Sequence, residues 1–376
     1  MPTDELHKFI SEKLTERSAS GLLRKPGKSG GTIDFASNDY LGLARSEELA
    51  ARIEEKRKHL TGYKNGATGS RLLTGNNPYT EAVEQKLASI FNAASCLLFN
   101  SGYTANLAVL SSLPQKGDTI LYDDLAHASI KDGTRLSLAT RFNFRHNDLT
   151  DLEKKMRRSD GKIFVVVESI YSMDGDEAPL AKLADLCTQY HAHLVVDEAH
   201  STGVIGQKGS GLVVSLGLEE KVAVRIYTFG KAMGIHGACV AGAEKLSEYL
   251  VNFARPFIYT TALPPHDILS IDCAFDYLAN NMDLQQKLQQ RIDLFRRLVP
   301  DALAHTDSRS AIQTVIIPGN KEIKEKAHAL EQQGFDVRPV LSPTVPVGTE
   351  RFRLCLHTYN TEEEITALTS ALEKFI

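Results

Sequence analysis

The sequence predicts an α/β protein with two domains: a large one on a mainly parallel sheet, then a smaller α+β domain. Three observations predict it. Short apolar runs alternate with helical patterns between residues 79 and 228, as βαβ units require. Those runs are almost continuously apolar, which suits strands covered on both faces. Beyond Pro264-Pro265 the pattern changes to a long helical stretch and then to short mixed pieces.

The elements follow in order. Leu6, Phe9, Ile10 and Leu14 share one face of an N-terminal amphipathic helix, with Thr3 or Asp4 as its cap. This helix is expected to pack on the smaller domain, and it is not a signal peptide, because no continuous apolar stretch is present. Strands are predicted at 96–99, 119–122, 162–167, 193–196 and 222–228, with helices at 79–91, 104–112, 128–138, 149–157 and 179–190 between them. After the helical region 263–299 come strand and helix pieces at 312–317, 323–333, 335–338, 351–357 and 362–375. The expected division is an arm with the first helix (1–45), a large domain (46–258) and a small C-terminal domain (259–376).

Bulk properties exclude several classes. The 376 residues are 42% hydrophobic and 24% charged, with a net charge of −4. Such a balance leaves no basic footprint for nucleic acid and no cationic run for a membrane surface. The longest apolar run, 163–167, is far too short to cross a bilayer. Five scattered cysteines without a C-x-x-C pair indicate reduced thiols in a cytoplasmic protein.

In parallel sheets ligands gather at the carboxyl ends of the strands. The first predicted strand runs into "NSGYTAN", where Gly102 and Tyr103 open a helix whose N-terminus suits a phosphate. The next end carries His127, and the third carries Ser172. The fourth leads into "DEAHSTG", with Asp197 at its tip and His200 three residues on. The fifth ends in "TFGKAMG", which sets Lys231 among glycines. Taken singly, His127 suits a helix cap and Ser172 suits a turn. "DEAH" also closes the Walker B strand of helicases, but those need G-x-x-x-x-G-K-[ST]. The triplet Gly27-Lys28-Ser29 lacks that spacing and follows a helix. His191 and His193 alternate across a strand and cannot share a metal ion, so no metal is expected. No G-x-G-x-x-G follows a strand. A lysine, a strand-end acid, histidines, hydroxyls and a phosphate cradle together match the demands of pyridoxal 5'-phosphate.

Eight motifs stand in order along the chain: "SNDYLGL" (37–43), "SGYTAN" (101–106), "HAS" (127–129), "YSMDGD" (171–176), "VVDEAHSTG" (195–203), "TFGKAMG" (228–234), "YTTALPP" (259–265) and "RFRLCL" (351–356). Through them the sequence resembles the α-oxoamine synthases, which are fold-type I pyridoxal-phosphate transferases. The resemblance runs from about Gly21 to the C-terminus. It implies that Lys231 forms the Schiff base, that Asp197 and His200 meet the pyridine nitrogen and the phenolic oxygen, and that His127 stacks on the ring. Gly102, Tyr103 and Thr228 are implied at the phosphate, and Ser172 at a further cofactor contact. Arg353 is implied to grip the amino-acid carboxylate and Asn38 to touch substrate, with Arg24 and Thr344 toward the thioester. Thr260 and Thr261 match a stretch serving the phosphate of a neighbouring subunit, which implies a homodimer with shared sites. The substrates implied are an amino acid and an acyl thioester, on coenzyme A or an acyl carrier protein. "FIYTTALPP" and "GKAMGIHGACVAG" most resemble the branch that joins L-alanine to a pimeloyl thioester in biotin synthesis. Condensation of glycine with an acetyl donor, or of serine with a palmitoyl donor, are the alternatives. A catalytically inactive cofactor-binding scaffold is the alternative of another class.

Overall fold

The computed structural model describes residues 2–24, 26–27 and 33–376. Lys28 and Ser29 of the Gly-Lys-Ser triplet lie outside the described residues. The chain divides into two compact units, Met1–Thr32 and Ile33–Ile376. The first holds one helix, Pro2–Ala19, on which Leu6, Phe9, Ile10 and Leu14 are exposed. Because the helix begins at Pro2, Thr3 and Asp4 fall inside its first turn and do not cap it.

The second unit carries twelve strands among the described residues. They are β1 (Ile33–Asp34), β2 (Ser95–Phe99), β3 (Thr119–Asp123), β4 (Thr140–Phe144), β5 (Ile163–Glu168), β6 (His193–Asp197), β7 (Val224–Thr228), β8 (Ala238–Gly242), β9 (Ile312–Ile316), β10 (Phe335–Asp336), β11 (Arg338–Val340) and β12 (Arg351–Cys355). Seven of them form the main sheet in the order β2-β8-β7-β6-β5-β3-β4. All its pairings are parallel except those of β8, which runs antiparallel between β2 and β7.

Side chains alternate across this sheet, and each face has its own core. On β5, Phe164 and Val166 face one core with Ile120, Val195 and Ile226, while Val165 and Val167 face the other with Leu121, Leu194 and Val196. Both faces are dry, so the strands read as unbroken apolar runs. A third core ties the β2-β8-β7 edge to the C-terminal sheet β11-β12-β9, through Tyr227, Phe275, Phe295, Phe352 and Leu354. Phe91 stacks on Tyr227 there with ring centroids 3.7 Å apart. Burying one such ring contributes about 1.5 to 3 kcal/mol.

Two main-sheet strands escape the apolar-run pattern. The edge strand β4 is exposed along most of its length, and β8 is a short run of small residues. The helical stretch after Pro264 is two helices, Pro265–Asn280 and Asp283–Leu298, broken at Asn281. β1 pairs in parallel with β10, so the arm after Ile33 is pinned beside the C-terminal sheet. That arm continues through Ser37 to Leu43 and brings Asn38 and Tyr40 over the carboxyl end of the main sheet.

Candidate active site

Strands β5, β6 and β7 end side by side, with Glu168 in register with Asp197 and Asp197 in register with Ile226. The loop after β7 turns back at once into β8. Phe229 N–H donates to Gly237 O at 2.9 Å and Gly234 N–H to Lys231 O at 2.8 Å, which close the loop around the lysine. Gly234 has φ +64°, and a Cβ there would lie 2.2 Å from Ala44 N. Only glycine suits that position.

Lys231 opens into a cavity of about 400 Å³. The structure brings ten of the expected residues to its wall: Lys231, Asp197, His127, His200, Ser172, Thr228, Gly102, Tyr103, Asn38 and Arg353. Thr344 lies instead on a larger neighbouring cavity of about 770 Å³, which shares His127, Ser172 and Met173 with the first. Thr260 and Thr261 line neither; Thr261 O accepts from Asn100 Nδ2 at 3.0 Å. Arg24 is exposed and belongs to the N-terminal unit.

Local chemistry explains each placement. Helix Gly102–Ser112 starts directly after β2, capped by Ser101, whose hydroxyl accepts from Thr104 N–H. A Cβ on Gly102 would fall 2.3 Å from Thr228 Cγ2, so glycine leaves this helix start open as a cradle. His127 is both cap and cavity wall: its Nδ1 accepts from Ser129 N–H at 3.2 Å as the N-cap of helix Ala128–Leu136. Lys231 Nζ donates to Thr228 Oγ1 at 3.3 Å. Arg353, from β12, donates Nε–H to Ser172 O at 2.5 Å and Nη2–H to Asn38 Oδ1 at 2.9 Å.

Burial sets the charge states. It pushes Lys231 below the ordinary lysine range, against the pull of Asp197 and Glu168. It pushes His200 well below the usual imidazole value, with Lys231 and Arg353 acting the same way. His127 is also lowered by burial. Glu168 is pushed up to about 8 by burial and by Asp197.

Three residues that sequence reading left without a role complete the site. Asn106 Nδ2 donates to Asp197 Oδ2 at 2.7 Å, and Ala199 N–H donates to Asp197 Oδ1 at 2.9 Å. Tyr40 hydroxyl bridges Asn38 Oδ1 at 3.1 Å and His200 Nδ1 at 2.8 Å. Glu168 Oε1 accepts the His127 N–H at 2.6 Å. Asn106 and Tyr40 lie inside quoted motifs, and Glu168 ends its strand; a strand-end carboxylate beside Asp197 was the available signal.

These residues fit pyridoxal phosphate. The cradle at Gly102 is one a Cβ would fill, and Asn106 Oδ1 is a buried oxygen without a hydrogen-bond partner. An amine, a held carboxylate, an imidazole and hydroxyls are the donor set the cofactor's groups call for. A mainly parallel sheet with that set at its strand ends defines a fold-type I pyridoxal-phosphate transferase.

The comparisons with known proteins agree. Residues 31–372 match the family model described as aminotransferase class I and II. The chain is 40% identical to an 8-amino-7-oxononanoate synthase of Emericella nidulans over 92% of this chain and 89% of that one. It is 37% identical to the enzyme of that name from Cellvibrio japonicus, over 97% and 92%. Among solved structures, the 8-amino-7-oxononanoate synthase of Francisella tularensis superposes with a TM-score of 0.79 at 32% identity, covering 92% of this chain and 98% of that one. A serine palmitoyltransferase from S. paucimobilis, solved with a bound adduct of pyridoxal phosphate and myriocin, superposes with a TM-score of 0.86 at 27% identity, covering 98% and 97%. The chain belongs to the aminotransferase class I and II family. Within it the protein is an α-oxoamine synthase, a pyridoxal-phosphate-dependent acyltransferase.

Proposed function

We propose that the protein condenses L-alanine with a pimeloyl thioester, releasing carbon dioxide and free thiol, to give 8-amino-7-oxononanoate for biotin synthesis. The observation that carries this reading is the pair of adjoining cavities. The smaller holds the lysine, acid and arginine, and the larger has apolar side chains such as Leu125, Ile316 and Val345 on its wall. One suits the cofactor and amino acid, the other an acyl chain. The names of the relatives support the choice of alanine and pimeloyl.

The cofactor, when bound, supplies an electron sink for negative charge developing at the substrate Cα. Gly102 and Tyr103 N–H groups and the Thr228 hydroxyl hold its phosphate. Asp197, fixed by Asn106, would offer its carboxylate to the ring nitrogen, His200 would serve the phenolic oxygen, Ser172 would make a further contact and His127 would cover the ring. Lys231 is the residue that would hold the cofactor's aldehyde group until the amine of the substrate displaces it. Its freed amine, whose pKa burial lowers, would take the Cα proton at Nζ and later return one. Arg353 orients the amino-acid carboxylate by giving up its bond to Asn38, which then faces substrate. Thr344 borders the acyl path, and Arg24 is assigned to the thioester.

The active species in this reading is a homodimer in which Thr260 and Thr261 serve the neighbouring copy's phosphate. Leu72, Leu73 and Tyr259 support it: they are 50%, 80% and 73% exposed on segments joined by the Ala262 N–H to Gly69 O bond. No helix among the described residues is long and apolar enough to cross a membrane. Five free, buried thiols favour a cytoplasmic setting. Incubating the purified holoenzyme with alanine, glycine or serine, each against pimeloyl, acetyl and palmitoyl thioesters, tests the reading. Mass spectrometry should find 8-amino-7-oxononanoate as the dominant product. Faster condensation of glycine with an acetyl donor, or of serine with a palmitoyl donor, would replace it with that reaction.

A further inference from the structure

The larger cavity is lined by both apolar and charged side chains. Leu125, Ala126, Ala128, Met173, Val345 and Pro346 are among the apolar residues that line it. The charged side chains on the wall are nearly all matched. Arg351 is bonded to Asp174, His146 lies between Asp123 and Asp176 at 2.9 and 2.8 Å, and Asp307 is met by Arg296 at 3.2 Å. Lys131 differs. Its Nζ donates to the Asp124 carbonyl at 2.7 Å, and among the described residues no carboxylate pairs with it.

Its place in the fold is fixed by the helix that His127 caps. Lys131 N–H donates to His127 O at 3.2 Å, so the two residues are one turn apart on helix Ala128–Leu136. One turn advances about 5.4 Å along the axis. His127 lines both cavities, so Lys131 stands one helical turn from the residue the two cavities share, on the wall of the larger one.

We propose that Lys131 is the specificity-determining contact for an acyl donor that ends in a carboxylate. This rests on the pimeloyl reading above and deepens it by assigning the group that recognises the chain's far end. An apolar wall takes up the methylenes, and an unmatched cation meets the terminal charge. Acetyl and palmitoyl donors bring no charge to that point. The phosphates of a carrier sit at the end of a long pantetheine arm, on the far side of the sulfur from the acyl chain, so donors without phosphate separate the two anions.

The test uses holoenzyme, L-alanine and two pimeloyl thioesters of N-acetylcysteamine, which carry no phosphate: the free acid and its methyl ester. Wild type should prefer the acid by about tenfold in kcat/KM, the size of a charge-assisted contact at a partly exposed site. In Lys131→Met the preference should vanish through a rise in KM for the acid. Lys131→Arg should restore it, which a general loss of folding would not allow. A preference for the acid that persists in Lys131→Met would overturn the inference, as would equal use of acid and ester by wild type. A defect confined to coenzyme A thioesters would also overturn it, by making the anion a phosphate. If wild type makes no product from alanine and any pimeloyl donor, the pimeloyl reading itself falls, and this assignment falls with it.

Discussion

Asn106 holds Asp197 through one short hydrogen bond, Nδ2 to Oδ2 at 2.7 Å, with both side chains almost fully buried. The bond fixes which way the amide points, since a carboxylate beside it only accepts. The same Nδ2 reaches Ser129 Oγ at 3.1 Å, and Oδ1 is left without a partner. Replacing Asn106 with leucine removes an orphan acceptor together with a donor to Asp197. Stability should therefore change by no more than about 1 to 2 kcal/mol. The kcat should fall on the order of tenfold to a hundredfold, as the acid loses its orientation. Thermal melts and steady-state kinetics on one preparation check both, and an unchanged kcat would remove Asn106 from the site's working parts.

Asp197→Asn tests the acid itself. It keeps the shape of the side chain and removes the charge offered to the ring nitrogen. A drop of about 10² to 10⁴ in kcat is expected, similar to loss of a preorganised electrostatic contact. Cofactor content, read from absorbance after denaturation, should stay near stoichiometric because the phosphate cradle is untouched. A variant with wild-type turnover would show that the ring partner lies elsewhere.

Lys231 makes the sharpest chemical prediction. Borohydride reduction of the holoenzyme should attach the cofactor to this lysine, and peptide mapping should find it nowhere else. Lys231→Ala should retain cofactor through the cradle at Gly102 while showing no turnover. Recovery of the label on another lysine would sink the assignment.

Arg353 is engaged before any substrate arrives, with donors on Ser172 O, Asn38 Oδ1 and Cys355 Sγ. Arg353→Ala should weaken alanine binding by about 1.5 to 3 kcal/mol, the range for a lost charge-assisted contact. Arg353→Lys should recover little of it, because a single ammonium cannot copy the fork. Alanine titrations followed by the cofactor's absorbance give the affinities. Equal affinity across the three proteins would move the carboxylate clamp to another residue.

His146 carries a pH dependence. Burial pushes its pKa down, but hydrogen bonds and charge from Asp123 and Asp176 outweigh burial and raise it to about 9. A folded pKa above the unfolded value means the folded state binds the extra proton. The contribution is complete below about pH 6.5 and is lost as pH rises through 9. Wild type should lose denaturant resistance over that window relative to His146→Gln, with solvent screening reducing the size. Titration of the His146 ring by NMR with a midpoint near 6.5 would contradict the geometry.

The sequence made the carboxyl ends of β5, β6 and β7 readable because parallel strands point their following residues the same way. Lys231, Asp197 and His200 are therefore close in space for the same reason that they follow apolar runs. Tyr40 and Asn106 were harder to read. Each acts through another side chain, and their partners His200 and Asp197 are 160 and 91 residues away. Glu168 reads as a strand terminator until its register with Asp197 is known. β8 hid for a different reason. Its residues are small, so neither apolar periodicity nor β-branching marks it, and its place between β2 and β7 is a property of the whole sheet. Thr344 fell on the neighbouring cavity because it follows β11 and not a main-sheet strand.

The strand order has a consequence for how the chain is born. β2 leads to the helix start at Gly102, yet among the described residues it pairs only with β8, which ends at Gly242. During synthesis the strand that leads to Gly102 therefore emerges early and stays without its β8 partner until more than a hundred further residues have left the ribosome. Pairings so distant in sequence form slowly, since a long loop must close first. The contact of Gly102 with Thr228 cannot exist before β7 is made and the β7–β8 hairpin has docked. The two sides of the Gly102 cradle are thus brought together late on the nascent chain.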